Sequence, residues 1–154
     1  MYTVRGRTVA TAATVDHAIA SLWNPHASQR IKVINFTVFK TAAGTAADAF
    51  RLKRSTARGT AGSTVTPDID NHSERAAAPV SGALLDLSAY SVQPTLDGSE
   101  LGPEFVAAAF AAAGIVYAIP GGIVVPFGTG LVLAQSQATI WPVSGVSFSW
   151  LEDW

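Results

Sequence analysis

Val146-Ser147-Phe148-Ser149-Trp150 decides how this chain is read. Apolar and hydroxyl side chains alternate through it with period two, so an extended backbone places Val146, Phe148 and Trp150 on one face and Ser147 and Ser149 on the other. β-Branched and aromatic residues on one side of a pleated surface mark a half-buried strand. Ile34-Asn35-Phe36-Thr37-Val38 has the same alternation. Segments of similar character predict further strands at Thr3–Ala10, His17–Leu22, Ala49–Thr56, Leu84–Tyr90, Ile115–Ile119, Gly122–Val125, Leu131–Gln135 and Ala138–Trp141. Turn formers separate them: Asn24-Pro25, Ala43-Gly44-Thr45, Pro120-Gly121-Gly122, Phe127-Gly128-Thr129-Gly130 and Ser144-Gly145.

Gly102–Ala113 is the one segment with helical character, because Pro103 suits a first turn, Glu104 favours a helix N-terminus and Ala107 to Ala113 is alanine-rich. Its alternative is a small-residue strand in a tight interface. Residues 57–82 have almost no apolar periodicity and predict one long loop, either a docking arm that orders on a partner or a surface loop without a role. Many short strands, regular turns and at most one short helix indicate an all-β fold, a jelly-roll-like β-sandwich. The 154 residues suffice for a single sandwich domain over 1–154, in which 1–29 form either a strand or an arm to a neighbour.

Charge is divided along the chain. All ten Lys and Arg lie within residues 1–75, which sum to +5, whereas residues 76–154 carry no basic residue and sum to −6. The two parts must meet, within one molecule or between molecules, and such complementarity sets register and partner more than affinity. Charged residues are only 14% of the chain against 49% hydrophobic, so much of the surface is uncharged and suited to contact with another subunit. A net charge of −1 with scattered cations argues against nucleic-acid binding. Cysteine is absent, which excludes disulfides, thiolate metal sites and cysteine nucleophiles. No secretory signal is read at the N-terminus. The apolar run Phe105–Ile119 is too short to span a bilayer before Pro120-Gly121-Gly122 interrupts it, so no membrane association is expected.

Catalytic signatures are missing: there is no Gly-x-Ser-x-Gly, His-Glu-x-x-His or Gly-x-x-x-x-Gly-Lys-Ser/Thr. Gly59-Thr60-Ala61-Gly62-Ser63-Thr64 lacks the lysine of a phosphate cradle and reads as a flexible turn. Asp68-Ile69-Asp70-Asn71 opens like a calcium loop, yet the sixth position is Ser73 and the twelfth Pro79, so a solvated turn is the simpler reading. His17, His26 and His72 have no neighbouring ligands in sequence. No metal, cofactor or catalytic residue is expected. A hydrolase would need His72, Asp68 or Asp70 and a serine to converge through the fold.

Contact residues are easier to nominate. Arg51, Lys53, Arg54 and Arg58 form the densest basic patch, with Arg51 and Lys53 on one strand face, and either meet an acidic neighbour or face water. Of Trp23, Trp141, Trp150 and Trp154, the alternating Trp150 reads as core and Trp154 as an interface anchor.

Several of these segments together resemble the small β-sandwich decoration, or cement, proteins of tailed-bacteriophage capsids. They are Phe36–Lys40 leading into Gly44-Thr45-Ala46, the Arg54–Pro67 run, Ala118-Ile119-Pro120-Gly121-Gly122-Ile123-Val124-Val125-Pro126, the Gly128-Thr129-Gly130-Leu131 turn and the acidic ending Trp150-Leu151-Glu152. The resemblance covers most of residues 30–152 and consists of composition and spaced turns. It implies a non-enzymatic virion protein, commonly a homotrimer, made in the host cytoplasm and placed on the outer capsid surface, where it braces neighbouring major capsid proteins. The residues nominated above then suggest docking through the basic strand and long loop, with the uncharged Phe105–Leu133 stretch at subunit contacts. A receptor- or glycan-binding module of a phage fibre or tail is the alternative.

Overall fold

A computed structural model describes residues 1–67 and 80–152. Among these residues eleven strands form two antiparallel sheets: β1 (Tyr2–Arg7), β2 (Ala18–Asn24), β3 (Ile31–Lys40), β4 (Asp48–Ala57), β5 (Ser63–Val65), β6 (Leu84–Leu87), β7 (Thr95–Glu100), β8 (Phe105–Ala107), β9 (Gly114–Val125), β10 (Thr129–Gln135) and β11 (Ser144–Leu151). The four-stranded sheet runs β1-β11-β3-β9 and the seven-stranded sheet β5-β6-β2-β10-β4-β7, with β8 also paired to β4. Setting β5 and β6 aside, β1-β11-β3-β9 facing β2-β10-β4-β7 is the strand order of a jelly roll. The predicted all-β sandwich is therefore the fold, and residues 1–29 supply two of its strands.

The alternation read from the sequence fills the space between the sheets. Val146, Phe148 and Trp150 of β11 and Phe36 and Val38 of β3 point inward, against Phe50 and Leu52 of β4 and Leu131 and Leu133 of β10. Phe36 is the hub of an aromatic cluster, with its ring centre 5.2 Å from Phe105, 5.6 Å from Tyr117 and 6.1 Å from Phe50. Trp141 and Trp150 are fully buried, so both are core residues.

Five expectations are corrected. Gly102–Ala113 contains no helix: it forms β8 followed by a turn. Phe105 and Ala107 are buried while Val106 between them is 61% exposed, so a place for two inward side chains outweighs the helix preference of the alanines. Positive φ angles at Gly102 (103°) and Ala112 (65°) bound the segment on either side. Ala138–Trp141 is not a strand. There Trp141 enters the core, and its N–H is taken by the Thr11 hydroxyl at 3.1 Å in place of a ladder partner. Pro120-Gly121-Gly122 does not separate two strands, because β9 continues through it. Val33 pairs with Ile123 and Asn35 with Ala118, so residues 119–122 bulge opposite Ile34 alone. Ser144-Gly145 lies inside β11, paired with Lys40 and Phe39. Finally, the predicted loop 57–82 is interrupted by β5, which pairs with β6. β7 was not anticipated, since Thr95-Leu96-Asp97-Gly98-Ser99-Glu100 has no apolar alternation and is held by its pairing to β4 and by the packing of Leu96.

Candidate functional site

The basic patch is brought together by β4, and most of it is neutralised inside the molecule. Arg51 pairs with Glu100 and, at 3.5 Å, with Glu104. Lys53 lies 2.5 Å from Asp16. Arg58 grips Asp86 through two bonds of 2.7 Å, from Nε and Nη2, and Thr64 donates its hydroxyl to the same carboxylate. Glu100 and Asp86 hold their arginines protonated above the ordinary guanidinium range, chiefly through these hydrogen bonds. Arg54 points between the sheets and donates to the Val124 carbonyl at 2.7 Å, tying β4 to β9. Two of these four cations thus pair with acids from the second half of the chain, so the complementarity seen in the sequence acts within one molecule at those positions. Trp154, Asp68, Asp70 and His72 lie outside the described residues.

The two outer faces of the sandwich differ. Over the seven-stranded sheet, segments 57–62 and 88–96 fold back as a roof. Thr60 bridges to Val92, and Ala61, Tyr90 and Leu96 cover Ala18, Val132 and Ala134. Tyr90 bonds through its hydroxyl with Ser21 and the Asp86 carbonyl, both at 3.0 Å, and its burial pushes that hydroxyl's pKa well up. As a result β2 and β10 are buried on both sides.

No described segment roofs the four-stranded sheet. Its outer face carries Thr3 and Arg5 from β1, Ser147 and Ser149 from β11, Asn35, Thr37 and Phe39 from β3, and Val116 from β9. Hydroxyl pairs cross it, Thr3 to Ser149 at 3.0 Å and Thr37 to Ser147 at 2.6 Å. All of these but Val116 line an open groove of about 500 Å³. Phe39 flanks it 43% exposed, with its ring lying over Gly114, where any Cβ would collide. The strands of this sheet contain no Asp or Glu. Sequence reading named Arg51, Lys53, Arg54 and Arg58 and missed this face. Its signal was present in the hydroxyl halves of the same alternating segments that revealed the core.

Near one end of the face, Lys40 and Asp48 form a buried ion pair described below. At the other, Glu152 is buried and accepts from the Ser81 hydroxyl, from the Val80 and Ser81 backbone N–H groups and from the Trp150 indole, which anchors the chain entering β6 to the end of β11. Among the described residues no group of three or more His, Asp and Glu is placed to hold a metal ion, and no helix is long and apolar enough to cross a membrane. No family model, characterised protein or solved structure matches the chain.

Proposed function

We propose that this protein is a structural component of a tailed-phage virion that binds the outer surface of the capsid and stabilises the head by bridging neighbouring major capsid proteins. The carrying observation is the asymmetry of the sandwich. One sheet is sealed by its own loops, while the strands of the other present a broad face of hydroxyl, amide and apolar groups with Arg5 and no carboxylate of their own. Such a face suits contact by area. Each hydrogen bond or apolar patch contributes modestly, and symmetry repeats the contact over a lattice. The protein acts without covalent chemistry, as a homotrimer on the virion exterior after synthesis in the host cytoplasm.

Undecorated heads assembled from the cognate major capsid protein test this. Wild-type protein is expected to co-sediment with them and to raise their disruption temperature. Thr37→Lys, which sets a charge in the middle of the groove, is expected to abolish both effects while leaving the circular dichroism spectrum unchanged. Failure of the wild type to bind heads overturns the proposal. The groove also favours a second reading as a glycan-binding module, because hydroxyl and amide groups there adjoin one aromatic ring. Binding to a defined sugar that Thr37→Lys removes, with no binding to heads, would assign that function.

A further inference from the structure

The lateral rims of the sandwich carry opposite charge. On one side, β1 is the last strand of the four-stranded sheet and presents Arg5 and Arg7, both exposed and neither ion-paired among the described residues. On the other, β9 is the last strand of the same sheet and lies over β8, whose Phe105 ring centre is 4.8 Å from that of Tyr117 in β9. This second rim exposes Asp97, Glu100 and Glu104 around the guanidinium of Arg51, with that of Arg54 near Asp97 where it reaches Val124. Three carboxylates against two guanidinium groups leave it acidic.

The backbone is arranged in the same sense. Among the described residues β1 pairs only with β11 and β9 only with β3, so within them each has one strand edge without a ladder partner. Every neighbouring pair in the sheet is antiparallel, and with four strands β1 and β9 run in opposite directions. A second copy set beside the first in the same orientation therefore brings its β1 antiparallel to the first copy's β9, the direction its ladder requires. Apolar side chains stand at both places: Met1 and Val9 near β1, and Val106, Phe110 and Val116 near β9, the last 68% exposed. An open, uncharged strand such as β9 is a liability in an isolated chain, and its own product is the partner present from synthesis onward.

From these relationships we infer that copies of this chain associate head to tail, with the basic β1 rim of one docking on the acidic β7–β8–β9 rim of the next. Such a contact is heterologous and propagates until the ring closes. Charge selects orientation, and the strand edges and apolar residues supply the area. The inference is tested on isolated protein, so it fails or stands separately from binding to heads.

The experiment is mass by light scattering at low and high salt. Wild type is expected to be larger than one chain and to loosen by about tenfold in affinity at 1 M salt, where screening shortens to ~3 Å. Arg5→Glu with Arg7→Glu is expected to return the mass to a single chain. So is Asp97→Lys with Glu104→Lys, which serves if the first variant does not fold. The chain carrying all four changes has both rims reversed and is expected to associate again. A wild type that stays a single chain, association unaffected by either reversal, or a fourfold variant that does not reassociate overturns the inference.

Discussion

Lys40 Nζ lies 2.6 Å from Asp48 Oδ2 with both side chains shut away from water. The same ammonium donates to the Ala108 carbonyl at 2.8 Å and sits 5.2 Å from the centre of the Trp141 ring. Lys40 ends β3 and Asp48 begins β4, so this pair staples the crossing between the sheets and ties in the chain after β8.

Removing one partner leaves the other as an uncompensated buried charge, which costs about 3–5 kcal/mol, whereas replacing both with apolar residues of similar size is often neutral. Lys40→Met is thus expected to lower the urea midpoint steeply. Lys40→Met combined with Asp48→Leu is expected to recover most of the loss. A double variant as unstable as the sum of the singles would show that the pair is not the unit.

Arg58 and Arg51 differ in what they leave behind. Asp86 is fully buried, so Arg58→Ala strips a sealed carboxylate of two bonds and is expected to cost about 2–3 kcal/mol in urea unfolding. Arg51→Ala releases partners already in water and is expected to leave the unfolding midpoint unmoved.

Tyr90 makes stability depend on alkaline pH. Its folded pKa is raised by burial above the ordinary value of about 10, so below that value the neutral hydroxyl is present in folded and unfolded chains alike. As pH rises past about 10 the unfolded chain ionises first, and the folded state loses ground. Tyr90→Phe is expected to cost about 1 kcal/mol at neutral pH through its lost hydrogen bonds and to flatten the decline in thermal midpoint above pH 10.

Gly59 holds the roof in place. Its φ is +76°, and an added Cβ would run into the Val92 carbonyl and the Gln93–Pro94 backbone, none of which can swing aside. Gly59→Ala is expected to cost about 2 kcal/mol and to raise hydrogen exchange at the Thr60 amide, which donates to Val92 at 2.8 Å, while β3 and β11 remain protected.

The sequence revealed the inner half of the molecule better than the outer. Phe36, Phe148 and Trp150 were legible because a strand buried on one face must alternate, and that period survives whatever it packs against. Phe105 and Ala107 were not, because three residues are too short a run to outweigh the alanines that follow, and their inward direction comes from the Phe36 and Phe50 rings lying far away in sequence. β9 was legible as two strands since Pro120-Gly121-Gly122 makes the same local signal in a bulge as in a turn. The patch at Arg51, Lys53 and Arg58 was found in sequence, but its neutralisation depends on Glu100 and Asp16 being brought to β4 and on Arg58 crossing to Asp86 of β6, none of which a local pattern encodes.

The pairing of β1 with β11 also has a temporal side. Tyr2 sits opposite Trp150, and in the other sheet β10 separates β2 from β4. A growing chain on the ribosome therefore holds β1 and β3, and β2 and β4, long before it has the β11 and β10 that join them. Neither layer can close until residues around 129–151 emerge, so the sandwich is expected to form only once that stretch has left the ribosome, and slowly, as befits distant pairings. Until then its apolar faces are in the open, and a cell making this protein in quantity would be managing an exposed intermediate.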